Sequence, residues 1–310
     1  MAFTATDVKN LREKTGCGMM DCKKALSATD GDMDAAIDWL REKGLAASQK
    51  KASRIAAEGA VYAYTDDEHK CGVVIEVNAE TDFVAQNKEF MAFVETCAKT
   101  VAACSPADVE ALAECKAVGS ELTVADLLRE KILTIGENIK IRRFAKYDGI
   151  TSAYIHMGGK IGVLVNFETS DEIAAKDEFK SFGRDIAMQV AAVSPQYLDP
   201  DSVPADVLEK EKAILAEQLK NDAKNANKPA QVIEKIVAGR IGKFYEESCL
   251  LNQSFVKEQK ISVAEYVAQT AKALGGDIKV VAYTRFEKGE GLEKRVDDFA
   301  DEVAKMTGQA

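Results

Sequence analysis

Histidine is almost missing from this chain: His69 and His156 are the only two among 310 residues. That scarcity deprives metal-binding and acid–base schemes of their commonest side chain, so an ordinary metabolic enzyme is disfavoured. Positive charge is not in excess, because 41 Lys and Arg face 51 Asp and Glu for a formal net charge of −10. A general nucleic-acid binder needs a net basic surface to neutralise phosphates, so no direct nucleic-acid partner is expected beyond what a local basic patch could hold. No stretch approaches the ~18 apolar residues of a membrane span. The opening MAFTATDVKNLREKTG lacks the apolar run of a signal peptide. Cysteines fall at 17, 22, 71, 97, 104, 115 and 249, an odd set without framework spacing. These absences predict a cytoplasmic protein, away from membranes, whose thiols serve as small apolar side chains.

What is present fits a folded chain. A hydrophobic share of 46% with 30% charged residues argues against disorder. At roughly 100–200 residues per domain, the length predicts two or three packed units. Thr6 can cap a first helix through Lys14, with Gly16 and Gly18 interrupting before a second helix from Met19 to about Ala28. Asp32 precedes Met33, Ala36, Ile37 and Leu40, a helical stripe for which Gly44 is the expected stop. SQKKASRIAAEG then reads as a linker or an exposed helix. GAVYAYT and GVVIEVNAE form a β-hairpin pattern. A helix from about Asn87 to Ala103, a helical stretch broken near Gly119 and the strand IKIRRFAKY follow.

The pattern then recurs. SAYIHMGG and IGVLVNFETS read as a second strand pair before a helix from about Lys176 to Val193. Setting Gly72 on Gly162 superposes GVVIEV on GVLVNF. After one residue of slippage, Phe90, Phe93, Ala98 and Val101–Ala103 meet Phe179, Phe182, Ala187 and Val190–Ala192. Preserved order across strands and helix favours a duplicated ββα unit. SDEIAA stands in the second copy where the first has TDFVAQ. Between 202 and 247, Val207, Leu208, Ile214, Leu215 and Leu219 face Val232, Ile233, Ile236, Val237, Ile241 and Phe244 across a turn at Asn225–Pro229. That predicts an antiparallel helical hairpin, either self-packing or an assembly surface for a homodimer or a partner. SVAEYVAQTAKALG is helical, IKVVAYTRFEKG completes a second sheet, VDDFADEVAKM forms a last helix and Met306–Ala310 frays. The expected class is therefore α+β, with two small antiparallel sheets. Its divisions are a helical head (1–54), a first core unit (55–148), a second core unit (149–201 with 248–287), the inserted hairpin (202–247) and a C-terminal module (288–310).

Reactive candidates are weak. Cys17 and Cys22 lack companion ligands and read as structural thiols. His156 has no nucleophile motif beside it, and neither Gly158-Gly159-Lys160 nor Gly289-Glu290-Gly291 has phosphate-loop spacing. No catalytic residue, metal or cofactor is expected. Two segments stand apart. LREKTGCGMMDCKKAL puts two methionines at a glycine-broken helix start, where one could pack into a bundle core and the other face a partner. EVNAETDFVAQN joins a strand to a helix, so Thr81 or Asp82 could merely cap that helix with Phe83 packing locally, or the loop could present an aromatic wedge.

Those two segments, with ILTIGENIKIRR, HMGGKIGVLV and RFEKGEGLEK, closely resemble the bacterial elongation factor Ts family, in order from the first helix to the last. The resemblance implies a guanine nucleotide exchange factor for elongation factor Tu in translation elongation, built with a ubiquitin-associated-like three-helix head. It implies docking through Leu11, Arg12, Met19, Met20 and Lys23, and an exchange element Thr81-Asp82-Phe83-Val84 that enters the partner near its Mg²⁺. Ile135 and His156 are further implied contacts. The family's QPFV is QSFV here, with Ser254 in place of the proline, and Val256 is the contact it implies. A coiled-coil adaptor or a chaperone without exchange activity is the alternative.

Overall fold

The computed structural model describes residues 3–15, 17–221 and 229–293. Three helices come first: α1 (Ala5–Thr15), α2 (Met19–Ala28) and α3 (Met33–Lys51). The hairpin β1 (Glu58–Asp66) and β2 (Cys71–Ala79) leads to the single turn α4 (Asp82–Ala85) and the long helix α5 (Lys88–Cys104). Helices α6 (Val109–Glu114) and α7 (Val124–Ile135) precede β3 (Lys140–Asp148). The order then recurs as β4 (Ile150–His156), β5 (Ile161–Glu168), α8 (Asp171–Ala174) and α9 (Asp177–Val193). Helices α10 (Ala205–Asn221) and α11 (Ala230–Ser248) follow, then β6 (Ser254–Phe255), β7 (Glu258–Ser262), α12 (Val263–Leu274) and β8 (Lys279–Glu287). The expected interruption at Gly16, the turn residues Asn225–Lys228, the helix in VDDFADEVAKM and the fraying end lie outside the described residues. Of the C-terminal module, only 288–293 are described.

The molecule is α+β, with small antiparallel sheets ordered β1-β2-β3 and β4-β5-β8 and a two-stranded ribbon β6-β7. The two larger sheets pack face to face through Val61, Val74, Leu164 and Phe286. Glycines open that seam. A Cβ on Gly72 would lie 2.5 Å from Leu164 and Thr151, and one on Gly162 would lie 2.4 Å from Val61 with Val74 at 3.4 Å. The outer face of the first sheet is covered by α5 and α7 through Phe90, Phe93 and Ile132. That of the second is covered by α9 and α12 through Phe179, Phe182 and Val267. Four layers result, helix on sheet on sheet on helix, and each large apolar side chain buried between them stabilises the fold by about 1.5–3 kcal/mol.

The two halves also agree in small irregularities. Register slips between Glu76 and Val77 in one sheet and between Asn166 and Phe167 in the other. Setting Gly72 on Gly162 puts these slips at the same place. Helices α5 and α9 each end on a serine in the left-handed region, Ser105 at φ 48° and Ser194 at φ 51°.

The first three helices close on Leu11, Cys22, Leu26, Ala36 and Leu40. Asp32 caps α3 by accepting the Ala35 amide at 2.9 Å. The expected stop at Gly44 is wrong, because α3 continues to Lys51. Gly44 instead faces α7, where a Cβ would meet the Arg129 carbonyl oxygen at 3.5 Å, so it allows a close helix crossing. Lys51 then ties α3 to α7 by donating to the Ile132 carbonyl at 3.1 Å. The ribbon β6-β7 is a feature the sequence did not announce, since EQKIS is mostly exposed and has no buried alternating face.

Candidate functional site

Strand β2 ends at Ala79, and the chain turns outward through residues held from elsewhere. Helix α7 stops on Gly136, which takes φ 89° where a side chain would be strained, and this delivers Glu137 beside the turn. The Glu137 carboxylate accepts the amides of Glu80 and Thr81, each at 3.0 Å, and the Thr81 hydroxyl at 2.6 Å. Glu80 answers by accepting the Asn138 amide at 2.6 Å, and Asn138 donates its side-chain amide to the Arg54 carbonyl at 2.8 Å. Thr81 occupies the N-cap position of α4 but makes no side-chain cap. Local packing of Phe83 is ruled out: its ring is 81% exposed. Asp82 is exposed beside it. Val84 points the other way into the core of the first sheet. Within the implied exchange element it is therefore the buried anchor beneath the loop.

The β4–β5 turn lies against the start of β1. Gly159 accepts the Val61 amide at 2.8 Å, and the Lys288 amide donates to the Lys160 carbonyl at 2.9 Å. Since α4 also packs on β1, the Thr81–Val84 element and the turn carrying His156 share that strand as their support. His156 is exposed, with Nδ1 3.1 Å from the Tyr154 hydroxyl, and Met157 beyond it is 69% exposed. Beneath, the buried Glu76 carboxylate accepts from Arg142 at 3.0 Å, Arg143 at 2.6 Å, Asn78 at 3.0 Å and the Gly289 amide at 2.8 Å. A charge taken out of water demands such partners. That network was missed in the sequence. Its signal was there, as a lone carboxylate in the apolar strand GVVIEV and an adjacent arginine pair in IKIRR.

In the helical head, both methionines face solvent at the start of α2, Met19 at 57% and Met20 at 63% exposure, so neither fills the core as expected of one. Arg12 and Lys23 are exposed. Leu11 is fully buried at the centre of the bundle, so its implied docking role is one of shaping the face that its exposed neighbours present. Ile135 is partly buried against the first core. Val256 is exposed after β6, its amide donating to the buried Gln189 at 2.8 Å. The head residues and Val256 therefore sit on elements apart from the loop and turn gathered at β1.

All seven cysteines are free thiols. Burial pushes the Cys17 and Cys22 thiols up, opposite to the depression a reactive thiolate needs. Among the described residues, no group of three or more His, Cys, Asp and Glu is placed to hold a metal ion. No described helix is long and apolar enough to cross a membrane.

A helical head with exposed methionines thus stands beside packed sheets that display a firmly tethered aromatic. The family model described as Elongation factor TS matches residues 80–290. The Elongation factor Ts of Syntrophotalea carbinolica is 49% identical over 310 residues, covering 99% of this chain and 100% of that protein. The Elongation factor Ts of Symbiobacterium thermophilum is 47% identical over 311 residues, with 99% and 98% covered. That of Magnetococcus marinus is 47% identical over 309 residues, with 99% of each covered. The chain belongs to the elongation factor Ts family, and its role is in translation elongation.

Proposed function

We propose that this chain is a guanine nucleotide exchange factor that binds elongation factor Tu and promotes GDP release by disturbing the partner's Mg²⁺ and phosphate site. The observation that carries the reading is Phe83, an aromatic ring left 81% exposed on a loop that hydrogen bonds hold in place. Exposing so large an apolar side chain brings no stability, whereas a preorganised aromatic is the kind of residue that dominates binding interfaces.

The mechanism follows from linkage. Bound nucleotide is held largely through phosphates and the Mg²⁺ that bridges them. A factor that favours a partner conformation with that site disturbed lowers nucleotide affinity, and nucleotide lowers the factor's affinity in the same proportion. Phe83 is the wedge, Asp82 shapes the loop or competes for polar contacts, Thr81 holds the loop to Glu137, and Val84 anchors it. Arg12, Met19, Met20 and Lys23 form the docking face of a ubiquitin-associated-like head, and His156, Ile135 and Val256 give further contacts. No covalent chemistry and no cofactor of this chain's own is required. The five divisions expected from the sequence, with a duplicated core, are retained, as is a cytoplasmic setting. The hairpin, with Ile214 and Val232 exposed, is retained as a surface for a second copy of the chain or for the partner.

Release of fluorescent GDP from purified elongation factor Tu tests the reading. Phe83→Ala is expected to fold normally and to slow stimulated release at least about tenfold, as loss of a central aromatic does. Stimulation equal to that of the unmodified chain would remove Phe83 from the mechanism. Met20→Ala is expected to weaken complex formation by about 1–2 kcal/mol in titration calorimetry. Unchanged affinity would place docking elsewhere.

A further inference from the structure

Resting on the exchange reading above, we propose that Glu137 is a positioning residue that fixes the Phe83 wedge and, together with Asn138, ties it to the segment leaving the helical head. Helix α4 has four residues, too short to hold itself, since helix nucleation costs more than one turn returns. Its N-cap side chain leaves the helix uncapped, and Val84 is its buried apolar anchor. The orientation of Phe83 therefore depends on what grips Glu80 and Thr81.

That grip is the Glu137 carboxylate, which takes three donors, the Thr81 hydroxyl at 2.6 Å among them. Charge-assisted hydrogen bonds of this kind are the strong ones. Glu137 is not needed by its own helix, because the Gly136 amide already closes α7 on the Ile132 carbonyl at 3.2 Å. The return bonds interlock three stretches of chain. Glu80 accepts the Asn138 amide at 2.6 Å and lies 3.4 Å from the Arg54 guanidinium, while Asn138 donates to the Arg54 carbonyl at 2.8 Å. Arg54 belongs to the connection between α3 and β1, so a displacement of that connection bears directly on the wedge. The corresponding loop of the second half, at Ser170–Ala175, has a side-chain cap of its own from Ser170.

The test uses the full chain with elongation factor Tu loaded with fluorescent GDP. Glu137→Ala is expected to lower the release rate at saturating factor about tenfold, from the loss of hydrogen bonds to a charged group. The half-saturating concentration is expected to move less than about threefold, because the docking face is untouched. Amide hydrogen exchange at Glu80 and Thr81 is expected to accelerate while β1, β2 and β3 stay protected, a local change that general destabilisation would not give. Glu137→Gln, with one acceptor oxygen left, is expected to fall between, and it serves if the alanine variant does not fold. A wild-type maximal rate in these variants, or a slow rate with Glu80 and Thr81 still protected, overturns the positioning role. Phe83→Ala run alongside separates the two failures. If it too is unimpaired, the exchange reading falls; if it alone is slow, only the role of Glu137 falls.

Discussion

The two loops that leave the central strands β2 and β5 start from the same plan and diverge at the tip. Both turn into one helical turn, and both drive an aliphatic side chain into the sheet below, Val84 at 6% and Ile173 at 5% exposure. Above that shared anchor the first loop carries Phe83 and the second carries Glu172. The second keeps a sequence-local cap, in which Ser170 accepts the Ile173 amide at 3.3 Å, while its flanks reach further, Thr169 to the Asp277 carbonyl and Lys176 to the Leu274 carbonyl, each at 2.8 Å. The first gives up its local cap and takes a tertiary one, Glu137, from a residue distant in sequence. A loop that needs only to be soluble can cap itself. One that must present an apolar ring at a fixed angle needs support from outside the turn.

The largest expected effect comes from making the first tip resemble the second. Phe83→Glu leaves an exposed site exposed, so stability is expected to change by less than about 0.5 kcal/mol. Stimulated GDP release is expected to drop about a hundredfold, since a charge then stands where a hot-spot aromatic should enter. Release kinetics within twofold of the unmodified chain would mean that the contrast between the tips has no functional content.

Next in size is the seam between the sheets, where the halves should behave alike. Gly72→Ala and Gly162→Ala each place a methyl within about 2.5 Å of packed side chains. Each is expected to cost about 1–3 kcal/mol through overpacking, read as a lower denaturant midpoint. Similar costs support an equivalent seam. A neutral result at one glycine would show that the halves meet it differently.

These comparisons also mark what could be read from the chain alone. The strands of the two larger sheets, the long helices α5 and α9 and the repeat were legible because alternation, 3.6-residue periodicity and shared Phe-Phe-Ala spacing are local signals. The end of α3 was not, since Gly44 is a stop by propensity and a crossing point by tertiary contact. The candidate site could be picked out as a segment, TDFV, and by its likeness to the family. Its working geometry could not: whether Phe83 packs or projects depends on Glu137, and no rule of spacing links a glutamate after α7 to an amide after β2. Met19 and Met20 show the same limit. A helix period accommodates one inward methionine, but the bundle is already filled by Leu11, Cys22 and Leu26.

A smaller effect is expected where the second loop caps itself. Ser170→Ala removes the acceptor for the Ile173 amide and is expected to cost about 0.5–1 kcal/mol, with GDP release unchanged. Slower release in this variant would show that both loops serve the partner, and the division of labour between them would be lost.

The smallest effect lies in an asymmetry of the halves, for α7 packs against the head through α3, whereas α12, in the matching place before β8, packs on α9 and the β6-β7 ribbon. Glu130 on α7 is partly buried at that junction, beside a cleft of about 230 Å³ lined by Ile37, Leu40, Arg41 and Leu133. Burial raises its carboxyl pKa, against the opposing pull of Arg41 and Lys131. A carboxyl raised above its unfolded value of about 4.3 is better tolerated protonated in the fold. Its contribution to stability is fully present below that value and is lost as pH rises through the folded pKa. Glu130→Gln, neutral at every pH, is therefore expected to raise the Tm slightly at pH 7, by no more than about 2 °C. The difference should shrink as pH falls and vanish below about pH 4. A variant less stable at neutral pH would show instead that the Arg41 and Lys131 attractions outweigh burial, making Glu130 a charged latch between head and core.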